Sequence, residues 1–231
     1  MLYAAETPNP SLRGQASAGS DGITGKTGFG YALTYPPSYS SGIFQFSEVG
    51  HEFSNQRIMA TSELSGVFEN GNIKKPAGVF NAGYDYNIDR LRLFIYTNYE
   101  FGVITGLDSN TILGAGARYM FFQFDRFTFD AGVAPIYDRG AYADDSLNET
   151  LSLSFRGRLK IFLADFDSLY VTWLYLHSLD EKNNEWHAAD LINNTVLTKK
   201  ISLRQAYRWR YDTFSGSSAG LFYLIAVFNF E

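Results

Sequence analysis

From residue 26 to the end of the chain, apolar and polar residues exchange places at almost every step, and no stretch carries the 3.6-residue rhythm of an amphipathic helix. Period two belongs to a strand whose two faces meet different surroundings. The last stretch, SSAGLFYLIAVFNF (217–230), is its densest form. Phe222, Leu224, Ala226, Phe228 and Phe230 fall on one face, and Leu221, Tyr223, Ile225, Val227 and Asn229 on the other.

The pattern predicts strands over 26–35, 42–53, 57–69, 77–86, 89–101, 111–122, 126–137, 149–163, 168–177, 188–197, 200–211 and 217–230. That is an even number, twelve, with ten as the alternative. Two fit poorly. In 42–53 the apolar face switches from Phe44 and Phe46 to Val49 and Phe53, which predicts a bulge near Ser47–Glu48. In 188–197 the pattern is weak, with Asn193 beside Asn194. Residues 1–25, rich in Gly, Ser and Ala, read as a tail or plug ahead of a barrel over 26–231.

The connections alternate in length. SNQ (54–56), NI (87–88), QFD (123–125), ADFD (164–167) and TK (198–199) are short. Interleaved with them are PPSYSS (36–41), NGNIKKP (70–76), GVITGLDSN (102–110), DRGAYADDSLN (138–148), SLDEKNNEWH (178–187) and DTFSG (212–216). An up-and-down transmembrane barrel alternates in this way, with tight turns on one side of the membrane and longer loops on the other. A Greek-key sandwich has no reason to. The expected strands run about ten to fifteen residues, against roughly five or six in globular sheets, and about ten at a tilt cross a bilayer. The expected fold is therefore all-β, a transmembrane antiparallel up-and-down barrel with short periplasmic turns and longer extracellular loops.

Composition excludes other classes. The longest apolar run, 221–228, is far below the roughly 20 residues of a membrane helix. There is no cysteine, hence no disulfide framework or thiolate metal site. Net charge is −5 with no basic tract, which argues against nucleic acid as a partner. The first residues, MLYAAETPNP, lack the basic start and apolar core of a signal peptide, so the sequence reads either as a mature form or as a chain that stays in the cytosol.

SGVFENGN (65–72), GAGARY (114–119), DAGVAPIYDR (130–139), LSLSFRGR (151–158) and the closing strand together resemble the salt-induced outer-membrane protein family, a bacterial β-barrel domain of unknown function. The likeness runs over about residues 62–230. It implies a barrel in the cell outer membrane, in contact with the lipid bilayer, lipopolysaccharide and the barrel-assembly machinery. It implies no chemistry and no catalytic residue. The final Glu231, in place of a terminal aromatic, departs from the pattern by which that machinery recognises its substrates.

The faces of the strands carry the functional reading. Tyr207, Trp209 and Tyr211 close one strand on its outer face, where an aromatic girdle belongs. The opposite face is basic: Arg57, Arg92, Arg118, Arg156, Arg158, Lys160, Arg204, Arg208 and Arg210 point inward, against the acids Glu63, Glu69, Asp85, Glu100 and Asp130. A basic surplus in a confined lumen makes a narrow channel that prefers anions. The alternative is a closed interior, cross-linked by arginine–carboxylate pairs and filled by Tyr and Phe. The inward Gly114, Gly116 and Gly132 would leave lumen space or let the strands curve.

Other constellations are weaker. Asp138, Asp144, Asp145, Asp180, Glu181 and Glu185 suit divalent cations in chemistry, but without calcium-loop spacing they read as solvated loop charge, and no metal is expected. His177, Ser178 and Asp190 hold the residue types of an acyl hydrolase, but neighbours on a strand point to opposite faces, so His177 cannot serve Ser178 as a base there. No phosphate loop and no cofactor motif is present. The expectation is a small passive channel for ions or small anionic solutes, not an enzyme. A closed structural or envelope-stress barrel, an outer-membrane hydrolase and a soluble β-barrel binding protein are the alternatives, in that order.

Overall fold

A computed structural model of the chain describes residues 22–35, 40–69, 72–101, 107–142, 147–180, 185–212 and 217–230. They form twelve strands: β1 (Gly22–Tyr35), β2 (Ser40–Phe53), β3 (Gln56–Glu69), β4 (Asn72–Ile88), β5 (Leu91–Phe101), β6 (Leu107–Phe124), β7 (Phe127–Tyr142), β8 (Leu147–Ala164), β9 (Asp167–Ser178), β10 (Glu185–Val196), β11 (Ile201–Asp212) and β12 (Ser217–Phe230). Each pairs antiparallel with its sequence neighbours, and β1 pairs with β12 from Gly25↔Phe230 to Tyr35↔Gly220, closing the barrel. Of the expected tail, 22–25 belong to β1 and the rest lies outside the described residues.

The turns at one end are tight. Ser54 (φ 54°) and Asp89 (φ 53°) take the left-handed conformation that two-residue hairpins demand. At the other end the strands reach further than the sequence implies. The 70–76 loop shrinks to 70–71 because β4 already starts at Asn72. Pro76 sits inside that strand, opposite Gly66, beyond the first β4–β5 partner pair Gly78↔Phe101. Among the described residues the outer end of β4 pairs with β3 alone, and a residue without an N–H is tolerated there. The turn between β10 and β11 is longer than expected, at 197–200.

The bulge expected near Ser47–Glu48 is not there. β2 pairs with β3 without a break from Gly42 to Phe53, so Val49 faces out and Glu48 faces in. Irregularities fall instead at Gly66/Val67, Leu107/Ser109, Met120/Phe122 and Phe162/Ala164, near strand ends where the wall must coil. The weakly patterned tenth strand is a regular one.

Alternation sorts the side chains. Phe29, Ile58, Ile95, Leu113, Leu151 and Phe155 stand on the outer surface. Tyr223, Ile225 and Val227 of β12 turn inward and are buried with Tyr170, Ile192 and Ala206, while Phe222, Leu224 and Phe228 face out. On the outer face, the paired residues Phe155↔Tyr175, Tyr175↔His187 and His187↔Tyr211 build an aromatic row across β8–β11, with ring centroids 6.1, 5.0 and 6.5 Å apart. Trp209 stacks on Tyr211 at its end. Near the turn end, Tyr119, Phe121 and Phe129 form a second group.

Candidate functional site: the inner wall

The inner wall carries the expected cations, and most of them have partners. Arg158 donates two hydrogen bonds to Asp130 Oδ2 (3.0 and 2.8 Å), and Arg118 Nε lies 3.5 Å from Asp130 Oδ1. Arg92 donates to Asn87 and Asp85. Arg57 lies between Glu48 and Glu52, and Glu48 also meets Lys26 at 3.5 Å. Arg204 and Arg208 are buried, and Glu100 is almost fully enclosed. The side chains of Arg210 and Glu69 lie outside the described residues.

β8 presents Arg156, Arg158 and Lys160 in succession on one face, opposite Gly132, Asp130 and Thr128 of β7 and Leu174, Thr172 and Tyr170 of β9. Arg156 and Lys160 make no ion pair among the described residues. Lys160 Nζ instead stands over the rings of Phe162 (4.2 Å) and Tyr170 (5.0 Å).

The sequence reading missed four inward groups. Glu48 lies where a bulge was expected, Asp190 in the poorly patterned strand, Asp138 in a span taken as loop, and Lys26 at the margin of the tail. Asp138 is bonded to Asn110, whose direct neighbour is Glu100. The surplus of cations is thus smaller than expected, and it is graded along the axis. Lys26, Arg57, Arg92, Arg118, Arg158, Lys160 and Arg204 lie in the half near the tight turns together with the acids Glu48, Asp85 and Asp130, whereas Glu63, Glu100, Asp138 and Asp190 lie further out with Arg208.

The inside is also less open than a cation-lined tube. Ile112, Ile136, Leu174 and Leu176 cluster in the outer half, with Tyr96, Trp186 and Ala188 packed against them. Gly114 leaves no lumen space, because the Tyr96 ring lies over it, 2.5 Å from where a Cβ would stand. At Gly132 a Cβ would stand 2.7 Å from the carbonyl oxygen of Ala117 in the neighbouring strand, so this glycine serves the curvature of the wall.

One contact crosses the lumen. Arg208 on β11 donates from Nη1 to Glu63 Oε2 (2.9 Å) and from Nη2 to Glu63 Oε1 (3.1 Å) on β3. By the shorter way round, β12, β1 and β2 separate these two strands. Asp190, paired directly with Arg208 on the adjacent strand, lies 3.5 Å from its Nε.

The remaining candidates do not assemble. Ser178 is buried inside, whereas His177 is on the outer face against Glu185, and Asp190 belongs to Arg208. Asp180 accepts the Leu151 N–H, Glu185 accepts from Tyr175, and Asp144, Asp145 and Glu181 lie outside the described residues. Among the described residues there is no metal-binding cluster of His, Cys, Asp and Glu.

A closed, even-numbered antiparallel barrel with an apolar outer wall, aromatic rows near both ends and a charged inner wall is an outer-membrane β-barrel. The chain belongs to the family described as "Protein of unknown function, DUF481", which matches residues 54–215. That description carries no link to salt induction, and the match starts earlier than residue 62 and stops short of β12. A comparison with curated proteins finds no match. Among solved structures, the chain is similar to the COG4313 outer membrane channel from Pseudomonas putida F1, with TM-score 0.60 and 11% identity over 94% of this chain and 98% of that one. It is similar to a KdgM porin in complex with disordered oligogalacturonate (TM-score 0.55, 8% identity, 89% and 99%). It is also similar to the translocator domain of the autotransporter NalP from Neisseria meningitidis (TM-score 0.56, 13% identity, 93% and 90%). At these identities the likeness shows the fold, and the fold serves both channels and a translocator.

Proposed function

We propose that the chain is a small passive channel of the bacterial outer membrane that prefers anionic solutes. The observation that carries this reading is the basic column Arg156–Arg158–Lys160, two of whose members have no carboxylate partner among the described residues. Lys160 is 8% exposed and rests on the Phe162 and Tyr170 rings, while Arg156 is half-buried, and a cation facing a wet lumen holds mobile anions. The KdgM porin, a barrel of this fold, is seen with oligogalacturonate, which supports the same solute class here. The apolar outer wall fits the lipid bilayer, with the longer loops towards lipopolysaccharide, and the barrel-assembly machinery would insert it. Reversal potential in a planar bilayer under a potassium chloride gradient tests the reading. An anion-selective sign is expected, and a zero or cation-selective potential rejects it.

A second reading, a closed structural barrel without transport, draws on the Arg208–Glu63 contact and the apolar cluster around Leu174. Folded barrels that pass no current would favour it.

A further inference from the structure

We infer that Arg208 is a latch: its guanidinium closes the lumen by forking onto Glu63 and opens it by falling back on Asp190. The inference rests on the channel reading and adds its regulation.

The closed state is the one seen. Both N–H groups of the fork are used on Glu63, and the two side chains are 3% and 5% exposed, so little water reaches the join. Bidentate geometry of this kind is directional and breaks as a unit. Between β11 and β3 lies β1, which carries glycine at positions 28 and 30. At Gly28 a Cβ would stand 2.7 Å from the Ile225 side chain, so the strand keeps that stretch bare. The guanidinium carbon lies 5.3 Å from the centre of the Tyr223 ring, on the apolar pad of β12.

The open state has its partner in place. Arg208 Nε lies 3.5 Å from Asp190 Oδ1, yet that nitrogen makes no hydrogen bond. Rotating the guanidinium away from Glu63 lets it complete a bond to Asp190 on its own side of the barrel. The cation is then never left without an anion, and Glu63 is left facing the water that enters. Two carboxylates competing for one fork give a two-state element, which a gate requires. An anionic solute arriving at the fork displaces Glu63 by the same chemistry.

Single-channel recording on three proteins tests the latch: wild type, Glu63→Gln and Asp190→Asn, each confirmed folded by a heat-sensitive gel mobility shift. Glu63→Gln should raise the open fraction severalfold. Asp190→Asn, which removes the fallback, should lower it severalfold, although both changes delete one inward negative charge. If Glu63→Gln does not fold, Glu63→Asp, one methylene shorter, should raise the open fraction in the same direction. Equal open fractions in a conducting wild type and its variants overturn the latch and leave the channel standing. Absence of current from every folded protein overturns the channel, and the latch with it.

Discussion

The ring of Tyr96 lies over Gly114 on the neighbouring strand, so that a Cβ at Gly114 would stand 2.5 Å from Tyr96 Cε1 and 2.9 Å from its hydroxyl. Tyr96 in turn packs against the cluster of Ile112, Ile136, Leu174 and Leu176. Gly114→Ala forces the ring off its seat and disturbs that cluster. The expected loss is about 1–3 kcal/mol, the usual cost of overpacking. Gly157→Ala is the control, since a Cβ there meets only Phe129 at 3.9 Å. Denaturant midpoints of the two variants in the same lipid should differ accordingly, and equal midpoints would deny Gly114 this role.

Asp130 holds two arginines, Arg118 and Arg158, and is itself buried. Asp130→Asn removes the negative charge from both. A stability loss of about 3–5 kcal/mol is expected, the usual cost of breaking a buried ion pair. If the barrel holds together in lipid, the same change should strengthen anion preference in the reversal potential. An unchanged unfolding midpoint together with an unchanged potential would show that the two arginines do not depend on Asp130.

Arg156 makes no ion pair among the described residues, so Arg156→Ala should alter stability by no more than about 0.5 kcal/mol. Its effect should appear in transport. Arg156→Glu combined with Lys160→Glu should reverse the sign of the reversal potential. A column that served packing alone would give the opposite result, a large stability change with selectivity untouched.

The inner wall is basic towards the tight turns and acidic towards the longer loops. A channel with such an axial gradient passes current unequally at the two voltage polarities, because mobile ions accumulate at one mouth and deplete at the other. In symmetric salt, oriented insertions should rectify, and high salt should flatten the asymmetry as screening shortens to a few ångströms. A linear current–voltage curve at low salt would contradict the gradient.

Much of this architecture was legible in the residues. The period of two pointed to twelve strands and gave the facing of β8, β11 and β12, because most of the outer wall is apolar and a slip there exposes polar groups. The inner wall has no such discipline. Arg, Asn, Ile and Gly all occur there, so the inward position of Asp190 and Glu48 left no trace in the pattern. The span 70–76 looked like loop because Gly, Lys and Pro dominate it, yet Pro76 lies in β4 opposite Gly66. The pairing of Arg208 with Glu63 joins residues 145 apart in sequence through the lumen, and local patterning has no access to a contact of that kind.

The seam between β1 and β12 has a consequence for how the chain is made. Every other strand finds its partner next in sequence, but β1 must wait for the last one. Until β12 is in place, both β1 and β11 carry a row of unmatched N–H and C=O groups that hydrocarbon cannot solvate. A chain that stops anywhere before β12 therefore leaves a sheet with two raw edges, and closure depends on the C-terminal strand meeting the N-terminal one.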